Sequence, residues 1–392
     1  MYISYTREQE EFRREIRDYF RRLITPEVRA AFDNYEDAED PAYREVIRRI
    51  GQDGWLTVSW PEQYGGRGLS QVESYIFFEE TQHLGVPMPW LTLNTVGPTL
   101  MAFGSDDQRT FFLPRIASGE IHFSVGYSEP GAGSDLASLK TRAVRDADEY
   151  VINGQKMWTS LIHHADYVWL ATRTDPDAPK HSGISIIIVP TDNPGFSWTP
   201  IHTLRGGFTS AGYYQDVRVP VSNRVGEENE GWRLMTSQLN AERVAISPVG
   251  AVSRKLEAVR EWAAGVRTDD GRRLLDEEWV QLNLARVHAK LEFLQLMNWK
   301  VAWETDGHEV RPADASAVKV FGTEFYVEAF RLLMEVMESD SLLVNGSPGA
   351  ELRESLESAM RWAVLMTFGG GTNEVQREII ARTGLSLPKQ RR

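Results

Sequence analysis

The sequence predicts an α+β multi-domain protein: helices first, a β domain in the middle, then helices again. Three observations predict it. Apolar residues recur at three- and four-residue spacing through the first ~120 residues and again from Trp232 to Thr383. Between His122 and Pro220 the text changes to short alternating or β-branched runs. At 392 residues the chain is too long for one simple core, so two or three domains are expected. The boundaries are placed at 1–120, an N-terminal helical domain, 121–228, a middle β domain, and 229–392, a C-terminal helical bundle.

Each part has its own signals. Phe12, Ile16, Tyr19 or Phe20, and Leu23 form one apolar stripe between Arg and Glu. YREVIRRIGQDGW (43–55) repeats the pattern and stops at glycine. WPEQYGGRG (60–68) is a turn-rich break, and helical text resumes from Gln71 to about Ala117. The strand-like runs that follow are divided by Gly, Asp-Pro and Asn-Gly turn signals and predict a barrel or sandwich. Their spacing is too short for βαβ crossovers. Segments 232–264, 276–306, 314–339, 350–367 and 372–383 read as the helices of a bundle.

Composition excludes several function classes. The net charge of −13 argues against nucleic acid and anionic membrane as partners, because basic patches supply the affinity for both. With no cysteine there is no disulfide, thiol nucleophile or thiolate metal site. The first twenty residues are charged from Arg7 onward and do not read as a signal peptide. The apolar run ISIIIVP is far too short to span a bilayer. A cytoplasmic protein is expected. GxGxxG, GxxxxGK[ST], HExxH and GxSxG are absent. His163 and His164 are adjacent, not spaced as ligands on one element, so no metal site is expected.

Two stretches remain as candidates for chemistry. EPGAGSD (129–135) can form an anion-binding concavity of backbone N–H groups, or a hairpin loop that needs glycine for positive φ. NGQKMWTS (153–160) puts Trp158 beside two hydroxyls. It can pack on an aromatic cofactor, or simply be a core tryptophan.

EPGAGSD, NGQKMWTS, YYQDVRVP (213–220), GEENEGW (226–232) and GGGTNEVQREIIAR (369–382), with WPEQYGGRG, occur in the order that marks the acyl-CoA dehydrogenase family, which the chain resembles over essentially its whole length. The resemblance implies a helical domain, a β domain, a C-terminal four-helix bundle and bound FAD. It implies that groups around Val125, Tyr127 and Ser128 meet the pyrimidine edge of the flavin. Trp158 would lie against the ring and Ser160 near N5. Gly133 and Ser134 would sit near the pyrophosphate and the CoA entrance, and Thr372 and Glu374 would contact the FAD tail. Gly370 and Gly371, with Gly369, would keep the backbone low beside cofactor and thioester.

The family reaction is α,β-dehydrogenation of an acyl-CoA to the 2-enoyl-CoA. A carboxylate removes the weakly acidic α-proton, and a dry site raises its pKa toward working pH. Many members place that carboxylate where this chain has Gly370, which cannot act as a base. QLNAERVAIS (238–247) resembles the subset whose base lies on an earlier helix, so Glu242 matches the base and Arg243 would lie toward CoA. An exposed Glu-Arg pair is the alternative for such a dipeptide.

The stretches with which family members complete a neighbour's FAD site are altered here, in 266–281 and 333–348. Arg267, Arg272 and Arg273 are candidates to replace a lost phosphate-binding arginine. That pattern resembles the base-bearing subunit of actinobacterial heterotetrameric enzymes that degrade steroid (cholesterol-type) side chains by β-oxidation. It implies a steroid-CoA substrate, a homologous partner chain and electron-transfer flavoprotein as acceptor. Alternatives from the same residues are a homo-oligomeric branched- or long-chain dehydrogenase, an acyl-CoA oxidase and a flavin-free structural subunit.

Overall fold

The computed structural model describes residues 3–33, 41–245, 247–304 and 311–388, without the side chains of 239–245. The chain divides into two compact units that interleave along the sequence. One takes Met1–Arg22, Ser70–Pro87 and Arg243–Arg392, and the other Leu23–Leu69 and Met88–Glu242.

The first unit is helical. It contains most of α1 (Arg7–Leu23) together with α4 (Gln71–His83), α8 (Gly250–Gly265), α9 (Glu278–Glu304), α10 (Pro312–Val336), α11 (Glu351–Met366) and α12 (Asn373–Ile379). Val252, Val259, Val287, Leu294, Phe330, Leu333 and Leu356 are its buried core. A capping box starts α4: Ser70 accepts from the Glu73 amide and the Glu73 carboxylate accepts from the Ser70 amide. Glu80 of α4 ties α1 down through Arg13 (2.9 Å) and Arg17 (2.6 Å).

The segment 232–264, expected as one helix, is two. Here α7 (Gly231–Ala245) ends before Ser247-Pro248, and α8 begins at Gly250. Proline has no N–H and disfavours helical geometry in the residue before it, which favours a break at Pro248.

The second unit carries α2 (Pro26–Asp33), α3 (Pro41–Gln52), α5 (Gly97–Phe103), α6 (Asp106–Ala117) and the strands. The expected barrel or sandwich is, by its hydrogen bonding, one mixed sheet of β1 (Phe123–Gly126), β2 (Arg142–Asp146), β3 (Glu149–Thr159), β4 (Tyr167–Arg173), β5 (Ile184–Pro190), β6 (Phe196–His202), β7 (Phe208–Pro220) and β8 (Arg224–Val225). Seven strands run in the order β6-β7-β3-β2-β4-β5-β8, and β1 pairs with β4 in parallel. The sheet's core gathers Tyr150, Ile152, Val168, Leu170, Ile187, Val189, Tyr214 and Val217.

Asn153-Gly154, expected as a turn, is not one. The β2–β3 turn is Ala147-Asp148, and Gly154 sits inside β3 at a register shift against β7. A Cβ at Gly154 would lie 2.6 Å from Thr141 Oγ1, so glycine there lets strands approach closely rather than reverse. No helix among the described residues is long and apolar enough to cross a membrane.

Candidate active site

The ends of β1 and β3 lie side by side in the sheet unit. Ser124 Oγ donates to the Ser160 carbonyl (2.9 Å), and the Met157 amide donates to the Ser128 carbonyl (2.8 Å). These bonds bring Val125, Tyr127 and Ser128 together with Trp158 and Ser160. A second register shift separates Lys156 from Thr159 in β3, and Trp158 at its centre has φ of 64°. A bulky residue there is strained by roughly 1–3 kcal/mol. Thr159 is buried, whereas the Trp158 indole stays 57% exposed and Ser160 is exposed beside it. Trp158 is therefore not a core tryptophan.

Beneath this edge lies a buried ion pair. Lys156, fully buried, donates to Glu129 Oε1 (2.8 Å) and to the Tyr127 carbonyl (3.0 Å). The other bonds to the Glu129 carboxylate come from the amides of Lys140 (2.7 Å) and Thr141 (2.8 Å). Burial pushes the Lys156 ammonium down to about 8 against the pull of Glu129. Burial alone would raise Glu129, but Lys156 and the Thr141 contacts outweigh it and hold the carboxyl below its ordinary value. The pair fixes the Glu129 end of the EPGAGSD turn and, through the Lys140 and Thr141 amides, the segment that follows it.

Glu129 and Ala132 exchange backbone hydrogen bonds (3.0 and 3.1 Å) across a tight reversal, but the glycines of that turn are not there to supply positive φ. Neither Gly131 nor Gly133 is among the residues with positive φ, and a Cβ on either would meet nothing within 4 Å. They leave room in front of the sheet edge. Gly133 and Ser134 are both exposed. The Tyr127 side chain points the other way: its hydroxyl donates to Gln238 of α7 and accepts from Trp169 Nε1 (3.2 Å). Its side chain is thereby held inside the sheet unit.

The remaining candidates belong to the helical unit, except Glu242, which closes the sheet unit. Glu242 and Arg243 lie on α7, and their side chains fall outside the described residues. Gly370 and Gly371 have φ of 66° and 96°. Thr372 caps α12, accepting from the Val375 amide (3.3 Å), so one lone pair of its hydroxyl is used locally. Glu374 is exposed, and its carboxyl is held below the ordinary range by its own amide and then by the Thr372 hydroxyl. Arg272 pairs with Asp270 (2.8 Å) and Glu277 (3.0 Å), and Arg273 with Asp276 (2.7 Å). Those arginines are engaged within their own loop.

Glu129, Lys156, Gln238 and Lys319 were not singled out from sequence. Lys156 could have been: Tyr150, Ile152 and Lys156 share the inward parity of β3, and a lysine at an inward position needs an acceptor.

The residues present fit a flat aromatic cofactor with a phosphate tail. An exposed indole in a strained conformation faces free space, a neighbouring hydroxyl is exposed, and the adjacent turn has side-chain-free glycines. No group of His, Cys, Asp or Glu that could hold a metal occurs among the described residues.

Three family models match the chain. They describe the acyl-CoA dehydrogenase N-terminal domain over residues 6–120, the middle domain over 124–217 and the C-terminal domain over 229–385. The chain is 57% identical to acyl-CoA dehydrogenase FadE26 of Mycobacterium tuberculosis, with 100% of both chains covered. It is 48% identical to FadE29 of the same organism, covering 99% of each. Among solved structures it is similar to the ChsE4-ChsE5 complex from Mycobacterium tuberculosis, with 58% identity, a TM-score of 0.93 and both chains covered in full. It is likewise similar to a Tcur3481-Tcur3483 steroid ACAD, with 46% identity, a TM-score of 0.92 and full coverage of both chains.

Proposed function

Because the chain belongs to the acyl-CoA dehydrogenase family, whose members depend on FAD, we propose that it is the base-bearing subunit of a heteromeric enzyme that desaturates a steroid side-chain CoA thioester. The observation that carries this reading is the full-length likeness to a steroid ACAD named for two chains. The complex with ChsE4-ChsE5 in its name supports the heteromer. So does the surface of α9. Trp279 and Phe293 are fourteen residues apart, as are Leu282 and Leu296, and Trp303 follows seven after Leu296; all are exposed. An exposed apolar row at multiples of seven suits packing against another helix.

On this reading Glu242 takes the proton from the α-carbon of the thioester onto its carboxylate, and Arg243 lies toward CoA. FAD, when bound, would supply the acceptor to which the β-hydrogen leaves as hydride. Trp158 would cover one side of the ring, Ser160 would offer a hydroxyl to it, and the backbone around Val125, Tyr127 and Ser128 would serve its pyrimidine edge. Gly133 and Ser134 admit the phosphates, Thr372 and Glu374 meet the cofactor tail, and Gly370 and Gly371 leave the thioester room. Electron-transfer flavoprotein is the proposed acceptor, the cytoplasm the proposed location, and residues 120 and 228 the proposed domain limits.

Glu242→Gln tests the assignment. Co-expressed with its partner chain, the variant should keep flavin absorbance and lose turnover by roughly 10²–10⁴-fold. Substantial residual activity overturns Glu242 as base. Full flavin occupancy in the lone chain overturns the shared-site heteromer.

A further inference from the structure

A buried ammonium holds the loop that precedes α12. Lys319 lies in α10 and is fully buried. Its Nζ donates to the Thr367 carbonyl (3.0 Å), the Gly371 carbonyl (2.8 Å) and Asn373 Oδ1 (2.7 Å). An ammonium has three donors, and these are three neutral acceptors, all on one short segment. Gln376 closes the same segment from its other end. Its Nε2 donates to the carbonyls of Gly370 (3.2 Å) and Gly371 (3.4 Å), and its Oε1 accepts from Ser316 of α10 (2.8 Å). Asn373 is itself held by Thr323 (3.1 Å) and Glu324 (3.1 Å).

The consequence is directional. The carbonyls of Gly370 and Gly371 are drawn to the Lys319–Gln376 clamp. In a trans peptide the N–H points opposite its C=O, so the amides of Gly371 and Thr372 turn away from the clamp. Two successive positive φ angles, 66° and 96°, let the carbonyls turn this way. An apolar side chain would fill the same space without the desolvation cost of an ammonium, but it would set no direction on the peptides.

We propose that Lys319 is a positioning residue for the dehydrogenation: from inside α10 it orients the peptide groups at 370–372, which, on the functional reading above, border the thioester. It touches neither substrate nor cofactor and acts through the loop.

The test compares Lys319→Met with wild type, each co-expressed with the partner chain. Amide exchange in 367–376 should quicken by about tenfold or more while the α9 and α10 peptides stay protected. Flavin absorbance should be retained, and kcat should fall roughly 10–100-fold with a much smaller change in KM, as misplacement of a reacting group produces. Unchanged loop exchange overturns the inference, and so does faster exchange with wild-type kcat. Should Lys319→Met not fold, Lys319→Gln, which cannot serve all three acceptors, carries the same expectations. If the wild-type complex turns over no acyl-CoA, the functional reading fails by itself, and the exchange measurement still decides whether Lys319 holds the loop.

Discussion

Two lysines in this chain are fully buried beneath glycine-rich segments, and they are held in opposite ways. Lys156 lies under EPGAGSD and faces a carboxylate, Glu129, and one carbonyl. Lys319 lies under FGGGTN and faces three neutral oxygens. The glycines differ to match. Gly131 and Gly133 are not at positive φ and have open space in front of them. Gly370 and Gly371 have positive φ, and a Cβ at Gly371 would sit 2.6 Å from Gln376 Nε2. The first segment uses glycine to clear space outward, and its position is secured by charge. The second uses glycine to bend, and its direction is secured by an array of hydrogen bonds.

The largest expected effect comes from breaking the charge pair. Glu129→Ala leaves a buried ammonium with one carbonyl and should destabilise the fold by about 3–5 kcal/mol, read by denaturant unfolding. Replacing both partners, Lys156→Met with Glu129→Leu, should recover part of that loss, the Lys140 and Thr141 amides still lacking their acceptor. If the double variant is as unstable as the single, the ion pair does not anchor the turn. The next effect belongs to the bent glycines. Gly371→Ala forces a side chain into φ of 96° against Gln376 and should cost about 1–3 kcal/mol in the same measurement.

What the sequence disclosed follows from the same contrast. Periodic text located the helices and the β region well, because burial on one face leaves a repeating signal. The break at Pro248 and the bulge at Gly154 escaped, since each depends on what the neighbouring segment does in space. EPGAGSD and Trp158 stood out as unusual text. The lysines beneath the two loops did not, because a lone lysine in a strand or helix reads as a surface residue until its register and acceptors are known. The choice of Glu242 rests on family likeness alone, as no physical pattern in the sequence separates it from an exposed Glu-Arg pair.

Acid should distinguish the two anchors. Glu129 titrates below its ordinary value of 4.5 in the fold, so the unfolded chain binds more protons as pH drops. Its contribution is fully present above that value and is lost as pH falls through the lowered folded value. Thermal unfolding between pH 7 and pH 3 should therefore show a steeper acid loss for wild type than for Glu129→Gln. Parallel curves would mean the carboxylate is not held ionised. None of the three acceptors of Lys319 titrates, and its charge is the smallest of the influences that hold the Glu324 carboxyl low, so substitution at Lys319 should change the acid slope less than Glu129→Gln does.

The smallest change in stability is expected where the glycine is spatially free. Gly131→Ala adds a methyl to open space at a φ that is not positive, so unfolding should move by no more than about 0.5 kcal/mol. If the turn faces the cofactor phosphates, that methyl occupies the approach. Flavin retention on dilution should then weaken by roughly tenfold, about 1.4 kcal/mol of binding, while the fold is untouched. Equal flavin retention would show that the space in front of Gly131 is solvent and that the phosphates approach elsewhere along the edge. The two glycine variants thus separate the roles: Gly371→Ala should act on stability first, and Gly131→Ala on binding alone.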